Sequence, residues 1–277
     1  MLLGIILLIS AAAAVLVCWL SEAFAGLAWL WLLPVSFLGF VLVLALAGFV
    51  FLLILCKRVD QDVPQEDDDP LYRKVVDLYL ASLLPLLRVH IRTSGLEKTP
   101  REGRFLLVCN HNNNADPIIL IHIFRKSQLA FVSKKENKDM FVIGPMMHKT
   151  LSQLIDREND REALKTILRC IQILKEDKAS VAVFPEGGII EDYKLHHFRP
   201  GVFKIAQKAK VPIVVCTLKN TDYVMENVVH YRRSDVQLNL VTVIQPEEFA
   251  GITTVELAQR VHKIMADDLG PELVAEN

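Results

Sequence analysis

The sequence predicts an α/β domain whose mostly parallel sheet is flanked by helices, preceded by an N-terminal membrane-anchoring helical hairpin. Three observations carry this. Short apolar runs at 105–109, 180–184 and 211–216 alternate with segments of helical period. The first two runs are apolar almost throughout, the pattern of strands buried on both faces. Finally, Glu22 is the single charged side chain between Met1 and Cys56.

Met1 to Leu20 is uncharged, and at ~1.5 Å per residue it reaches ~30 Å, the thickness of a bilayer core. Ala23 to Cys56 is longer than one span needs, and Pro34 is expected to divide it, leaving Val35 to Leu55 as the crossing part. Lys57 and Arg58 follow, which places that end in the cytoplasm. Trp19, Trp29 and Trp31 cluster around the predicted outer turn, where an aromatic belt would sit. A signal peptide would begin with basic residues, and none precedes this apolar run. A hairpin held in one leaflet fits the same residues as a spanning one.

The expected organisation is a hairpin over 1–56, an acidic linker over 57–70 and an α/β domain over 71–277. Asp60, Asp62, Glu66, Asp67, Asp68 and Asp69 make the linker read as a solvated charge run. Leu71 to Leu87 has helical spacing; Arg88 to Thr93 alternates as a strand and ends at Gly95. A strand over 105–109 leads to a helix over 117–124 and a short strand over 129–132, with a weaker strand at 151–155. Asn159 and Glu162 form a capping-box pattern before a helix with apolar residues at 164, 167, 168, 171 and 174. A strand at 180–184, a helix at 202–209 and strands at 211–216 and 236–244 follow. Thr253 with Glu256 opens the last helix, with Leu257, Ala258, Val261, Ile264 and Met265 inward.

Lysine and arginine (31) nearly balance aspartate and glutamate (32), which excludes a nucleic-acid binder relying on a basic surface. The five cysteines are odd in number and show no C-x-x-C spacing, so they read as reduced thiols. The histidines show neither H-x-H nor H-E-x-x-H spacing, so no metal site is predicted.

In parallel sheets, sites form at the carboxyl ends of strands. Two turns stand there. Asn110-His111-Asn112-Asn113-Asn114-Ala115-Asp116-Pro117 follows the strand at 105–109. A carboxylate that accepts the Nδ1 proton leaves Nε2 of an imidazole free as a base, and Asp116 has the spacing to serve His111 so. Asp116 before Pro117 also reads as an ordinary helix N-cap. Cys109, two residues before His111, reads either as a buried strand residue or as half of a Cys–His pair. The second turn is Phe184-Pro185-Glu186-Gly187-Gly188, in which glycines would let backbone amides approach an anion, or would simply turn the chain.

Together, H-x4-D after one strand and F-P-E-G after another resemble the glycerolipid acyltransferases, and more narrowly the bacterial 1-acyl-sn-glycerol-3-phosphate acyltransferases. The resemblance covers roughly residues 70 to 220. It implies that His111 and Asp116 are the catalytic pair, and that no cofactor is needed. It implies that Arg157, closing Ile155-Asp156-Arg157, and Lys134 bind the phosphate of a lysophospholipid acceptor, and that Glu186 and Gly187 belong to the acceptor site. A fourth motif matches at Val211-Pro212-Ile213-Val214. The donor would be acyl-CoA or acyl-carrier protein, and the cell membrane, with the catalytic domain on the cytoplasmic side, the site of action. The chain departs from the family pattern in places: Ile189 stands where an arginine is usual, Leu151 where a glycine opens the second motif, Val215 for a proline, and Asn112 and Asn113 for the usual polar pair. Arg199 or Lys135 would have to compensate for the missing arginine. The alternatives are another acceptor (glycerol 3-phosphate or another lysolipid), or a membrane-tethered lipid-binding or regulatory protein without transfer activity.

Overall fold

The computed structural model describes residues 2–275. They divide into two compact units, Met1–Asp60 and Gln61–Asn277.

The first unit is a pair of apolar helices, α1 (Leu2–Leu20) and α2 (Trp29–Lys57), both long and apolar enough to cross a membrane. Ser10, Ala14 and Cys18, four residues apart, form the buried stripe of α1. Such small residues let two helix backbones approach closely. The expected break at Pro34 does not occur, because α2 runs through it. A proline this near a helix start removes a single i→i−4 bond, and the apolar sequence on either side keeps the helix going.

The second unit holds a seven-stranded sheet in the order β1-β7-β6-β2-β5-β3-β4. Its strands are β1 (Val89–Ser94), β2 (Leu106–Val108), β3 (Leu129–Lys134), β4 (Gln153–Ile155), β5 (Ser180–Val183), β6 (Ile213–Lys219) and β7 (Ser234–Ile244). All neighbouring pairs are parallel except β6–β7. Alternation along each strand divides the core. Leu106 and Val108, Val181 and Val183, and Ile213 and Val215 point to one face. That face is covered by α6 (Asp160–Lys175), α7 (Lys204–Ala209) and α9 (Thr254–Leu269). Leu107 and Cys109, Ala182, and Val214 and Cys216 point to the other. Leu84 of α3 (Pro70–Leu86), Ile119 and Leu120 of α4 (Asp116–Ile123) and Val224 of α8 (Val224–Val229) cover it.

Several expectations need adjusting. The sequence pattern missed α5 (Ile143–Lys149) and α8, both under two turns long. The Thr253–Glu256 capping box forms in both directions. Asn159 caps α6, but Glu162 pairs with Lys165 Nζ at 2.7 Å instead of returning to Asn159. Leu164 and Leu168 stay exposed, because the buried side of α6 is Ile167, Cys170, Ile171, Ile173 and Leu174. Leu151, where a glycine was expected, keeps a left-handed backbone (φ 60°) while its side chain is fully buried. Such a backbone costs an L-residue ~1–2 kcal/mol.

The acidic run is solvated at Asp62, Glu66 and Asp67, whose side chains stay exposed, but it is also tied down by ion pairs, and Asp68 is withdrawn from solvent. Asp68 grips Arg73 Nη2 at 2.6 Å with both side chains nearly inaccessible. Arg73 also donates to the carbonyls of Leu129 and Thr150. Asp62 pairs with Lys138, Glu66 with Arg169 and Asp67 with Lys178, while Asp69 caps α3. Basic partners far along the chain carry no local signal, so the acids alone read as a solvated run.

Candidate active site

From β2 the chain crosses beyond β5 to reach β3, and from β5 it returns beyond β2 to reach β6. The crevice at the carboxyl ends of β2 and β5 is therefore a topological switch point. The two loops singled out above leave the sheet side by side at this crevice.

The first loop is organised around a single buried oxygen. Asp116 Oδ2 accepts from the backbone N–H of Asn112 and Asn113, both at 2.7 Å, and lies 2.9 Å from His111 Nδ1. Asp116 is fully buried, and its other oxygen, Oδ1, has no partner among the described residues. The N-cap reading of Asp116 fails: Asp116 is the first residue of α4, Ala115 holds the cap position, and the carboxylate turns back over its own loop. The loop is pinned from both sides. Asn110 exchanges two hydrogen bonds with the backbone of Leu218 on β6, at 2.8 and 2.9 Å. Asn113 Nδ2 donates to the Asp222 carbonyl.

With Nδ1 directed at a carboxylate, the Nδ1–H tautomer is the one that satisfies both groups. Nε2 is then the lone-pair nitrogen, and it has no partner among the described residues. The His111 side chain is 15% exposed, so the ring is held but reachable. One ring face stacks on Phe184, with centroids 4.0 Å apart and planes 13° apart. Cys109 is completely buried, and burial pushes its thiol well above the ordinary range, which removes the Cys–His nucleophile reading.

Glu186 faces inward. Oε1 accepts from the His111 N–H at 2.9 Å and Oε2 from the His196 N–H at 3.1 Å. Its carboxylate thus ties the histidine loop to the segment after β5. Burial raises its pKa to about 7, against the lowering by those two donors. As pH falls through about 7 the group takes up a proton, and one of the two N–H donors then loses its acceptor. The same shift means that fold stability rises as pH falls from 7 towards 4.5, because the folded state binds the proton more tightly. Activity is expected to move the opposite way. Glu186→Gln should lower kcat by up to roughly 10²-fold through displacement of the loop. It should also make the acid limb of the kcat profile shallower by one proton. An unchanged acid limb would show that this carboxyl does not titrate in the working range.

Beside Phe184 opens a groove of about 290 Å³, lined by Val132, Ile155, Leu164, Ile167 and Val183 and edged by Arg157 and Arg199. Gly187 takes φ +84°, and a Cβ there would run into the Arg199 side chain. Arg157 Nη1 lies 3.5 Å from where a Cβ on Gly188 would stand. Gly187 therefore makes room for the Arg199 guanidinium, while a Cβ on Gly188 would only touch Arg157. Neither guanidinium has a hydrogen-bonded carboxylate among the described residues. Burial and, next, the neighbouring charge of Arg199 pull the Arg157 pKa down against a smaller opposing effect of Glu136, so two like charges share this edge. Lys134 ends β3 exposed on the same rim, paired in register with Ile155. Lys135 is 70% exposed and turns to Asp156 at 3.5 Å, whereas Arg199 stands at the edge of the groove. Ile189 is exposed and does not line the groove.

A model of the acyltransferase family matches residues 90–219, which contain every candidate residue discussed here. Over those residues the chain is similar to that acyltransferase family. A Mycoplasma pneumoniae protein described as "Probable 1-acyl-sn-glycerol-3-phosphate acyltransferase" is 28% identical over 79% of this chain and 87% of its own. A 1-acyl-sn-glycerol-3-phosphate acyltransferase of Chlamydomonas reinhardtii is 32% identical over 70% of this chain and 57% of its own longer one. The crystal structure of the 1-acyl-sn-glycerophosphate acyltransferase PlsC from Thermotoga maritima superposes with a TM-score of 0.62 at 19% identity. It covers 79% of this chain and 86% of that one, and it shows that the acyltransferase shares that fold. Sequence reasoning named His111, Asp116, Lys134, Arg157, Glu186 and Gly187, and all lie on one rim. It placed Arg199 only as a substitute, because a residue that folds back over Gly187 from the far end of a loop leaves no local pattern.

Proposed function

We propose that this enzyme transfers a fatty acyl group from a thioester donor, acyl-CoA or acyl-carrier protein, to the free hydroxyl of a lysophospholipid. The acceptor is 1-acyl-sn-glycerol 3-phosphate and the product phosphatidate. One observation carries this: an imidazole with Nδ1 on a buried carboxylate and Nε2 unpaired stacks on Phe184, which lines a groove edged by two arginines with no carboxylate hydrogen-bonded to them among the described residues.

In this reading Nε2 of His111 takes the acceptor hydroxyl proton as the oxygen attacks the thioester carbonyl. Asp116 holds the ring and offsets the charge the imidazole acquires. The tetrahedral intermediate collapses with cleavage of the C–S bond, and the imidazolium returns its proton to the leaving thiolate. The acceptor is itself the nucleophile, so no acyl-enzyme forms. Arg157 and Arg199 bind the acceptor phosphate through paired N–H donors, with Lys134 adding charge at the rim. Gly187 gives Arg199 its place. The two apolar helices hold the enzyme at the membrane in which acceptor and product reside. Lys57 and Arg58 set the catalytic unit on the cytoplasmic side, where the thioester donor is found.

The test is thiol release by the full-length protein, given each donor in turn against a panel of lysolipids and glycerol 3-phosphate. Release with lysophosphatidate, and little with lysolipids whose phosphate is esterified to a headgroup, supports the reading. Arg199→Ala and Arg157→Ala should each raise the acceptor KM by roughly 10-fold or more, since a charged hydrogen bond contributes ~1.5–3 kcal/mol, while leaving the donor KM unchanged. Binding of lysophosphatidate without thiol release under any pairing would favour a tethered lipid-binding protein instead.

A further inference from the structure

We propose that the exposed apolar turn Met140–Ile143 is a second membrane contact, inserting into the headgroup layer close to where α2 ends. The proposal rests on the reading of α1 and α2 as the membrane anchor.

Phe141 is 67% exposed, Met140 45% and Ile143 41%. These large apolar side chains stand on one short turn, and Val63 adds another at 58%. The turn is firmly built. Gly144 N–H donates to the Met140 carbonyl at 2.8 Å, and Met140 N–H to the Asn137 carbonyl at 3.3 Å. Gly144 is required, because any Cβ there would fall on the carbonyl oxygen of Lys138. A fixed turn that presents phenylalanine and methionine to solvent has lost the usual burial gain and calls for an apolar partner.

Chain connectivity identifies that partner. Gln61 Nε2 donates to the Lys138 carbonyl at 3.3 Å, and Asp62 pairs with Lys138 Nζ at 2.7 Å. The turn is therefore fastened to residues 61 and 62. Only Arg58, Val59 and Asp60 separate Gln61 from Lys57, the end of α2. Four Cα steps of 3.80 Å span at most ~15 Å. The sequence is apolar up to Cys56, so Lys57 marks the edge of the hydrocarbon. Gln61 therefore stays within ~15 Å of that edge, and the turn begins two residues beyond the Lys138 fastened to it. The charges around it balance: Lys134 and Lys135 are exposed on the preceding segment, exposed Glu136 and Asp139 offset them, and Lys149 is taken up by Gln65, so the contact is an apolar one. Insertion at this point would also tilt the rim bearing Lys134 towards the surface from which a lysolipid must be drawn.

The experiment uses full-length protein in vesicles of phosphatidylcholine with a minority of phosphatidylglycerol, with and without brominated acyl chains. Phe141→Cys gives a single accessible thiol for an environment-sensitive dye, since all five native cysteines are buried. Glu102→Cys, exposed before the amino end of β2, is the control. The label at 141 is expected to blue-shift and to be quenched by the brominated lipid, and the label at 102 is not. Met140→Ser combined with Phe141→Ser should raise the KM for vesicle-borne lysolipid about tenfold, while kcat on a short-chain monomeric lysolipid stays unchanged. A label at 141 that stays unquenched in protein floating with the vesicles overturns the proposal. Dye self-quenching that grows with the protein-to-lipid ratio, without quenching by bromine, assigns the turn to a second copy of the chain and overturns it too. Protein that fails to float at all rejects the anchor reading, and this inference with it.

Discussion

Replacing His111 with alanine is expected to remove thiol release to within the background of the uncatalysed reaction, a loss of ~10²–10⁴-fold. The site offers no substitute base. Glu186 is committed to two backbone N–H groups, and the Cys109 thiol is buried and fully protonated. The ring is partly exposed and makes one side-chain hydrogen bond, so its removal leaves the loop held by Asn110 and by the two N–H donors on Asp116. Thermal unfolding should therefore shift little, and binding of lysophosphatidate should persist through Arg157 and Arg199. Turnover retained by a correctly folded variant would mean that the proton leaves the acceptor hydroxyl by another route.

Asp116→Asn should be nearly as damaging, for a different reason. The wild-type oxygen Oδ2 accepts three donors, and its partner oxygen is buried without one among the described residues. An asparagine oxygen placed at Oδ2 accepts at most two of them well, and its amide would put two N–H groups at the position of Oδ1 with no acceptor. The amide in the flipped orientation would face two backbone N–H groups and the ring, forcing the imidazole into the tautomer with the proton on Nε2. In either case His111 loses its orientation. A comparable carboxylate-to-amide exchange in a serine-protease triad costs ~10⁴-fold. Here kcat should fall by roughly 10³-fold with an unchanged acceptor KM, and stability should fall by ~1–3 kcal/mol from the buried unpaired amide. A rise in KM with kcat preserved would move Asp116 from the chemistry to substrate binding.

What the chain revealed before folding follows from how local each signal is. The strands at 105–109, 180–184 and 211–216 were legible because burial on both faces writes an apolar run directly into the sequence. The helix opened by Thr253 was legible because a capping box is made of residues three apart. His111 and Asp116 were legible as a pair because one loop contains both. Glu186 was found as a member of the site but not for what it does. Its carboxylate acts on the N–H of His111, and no spacing rule connects residues 75 positions apart. Leu151 was noticed as a missing glycine, yet only the structure shows that its backbone keeps the glycine conformation while its side chain fills the core. The short helices α5 and α8 failed to register because two turns hold too few residues for a period to emerge.

The grip of Asp68 on Arg73 decides where this protein can be cut. A fragment that begins at Leu71, the natural choice if the acids were mere spacer, would strand a guanidinium deep against the Leu129 and Thr150 carbonyls, at ~3–5 kcal/mol. Truncation ahead of Gln61 spares the ionic belt, and the catalytic half then leaves its tether with every counter-charge still in hand.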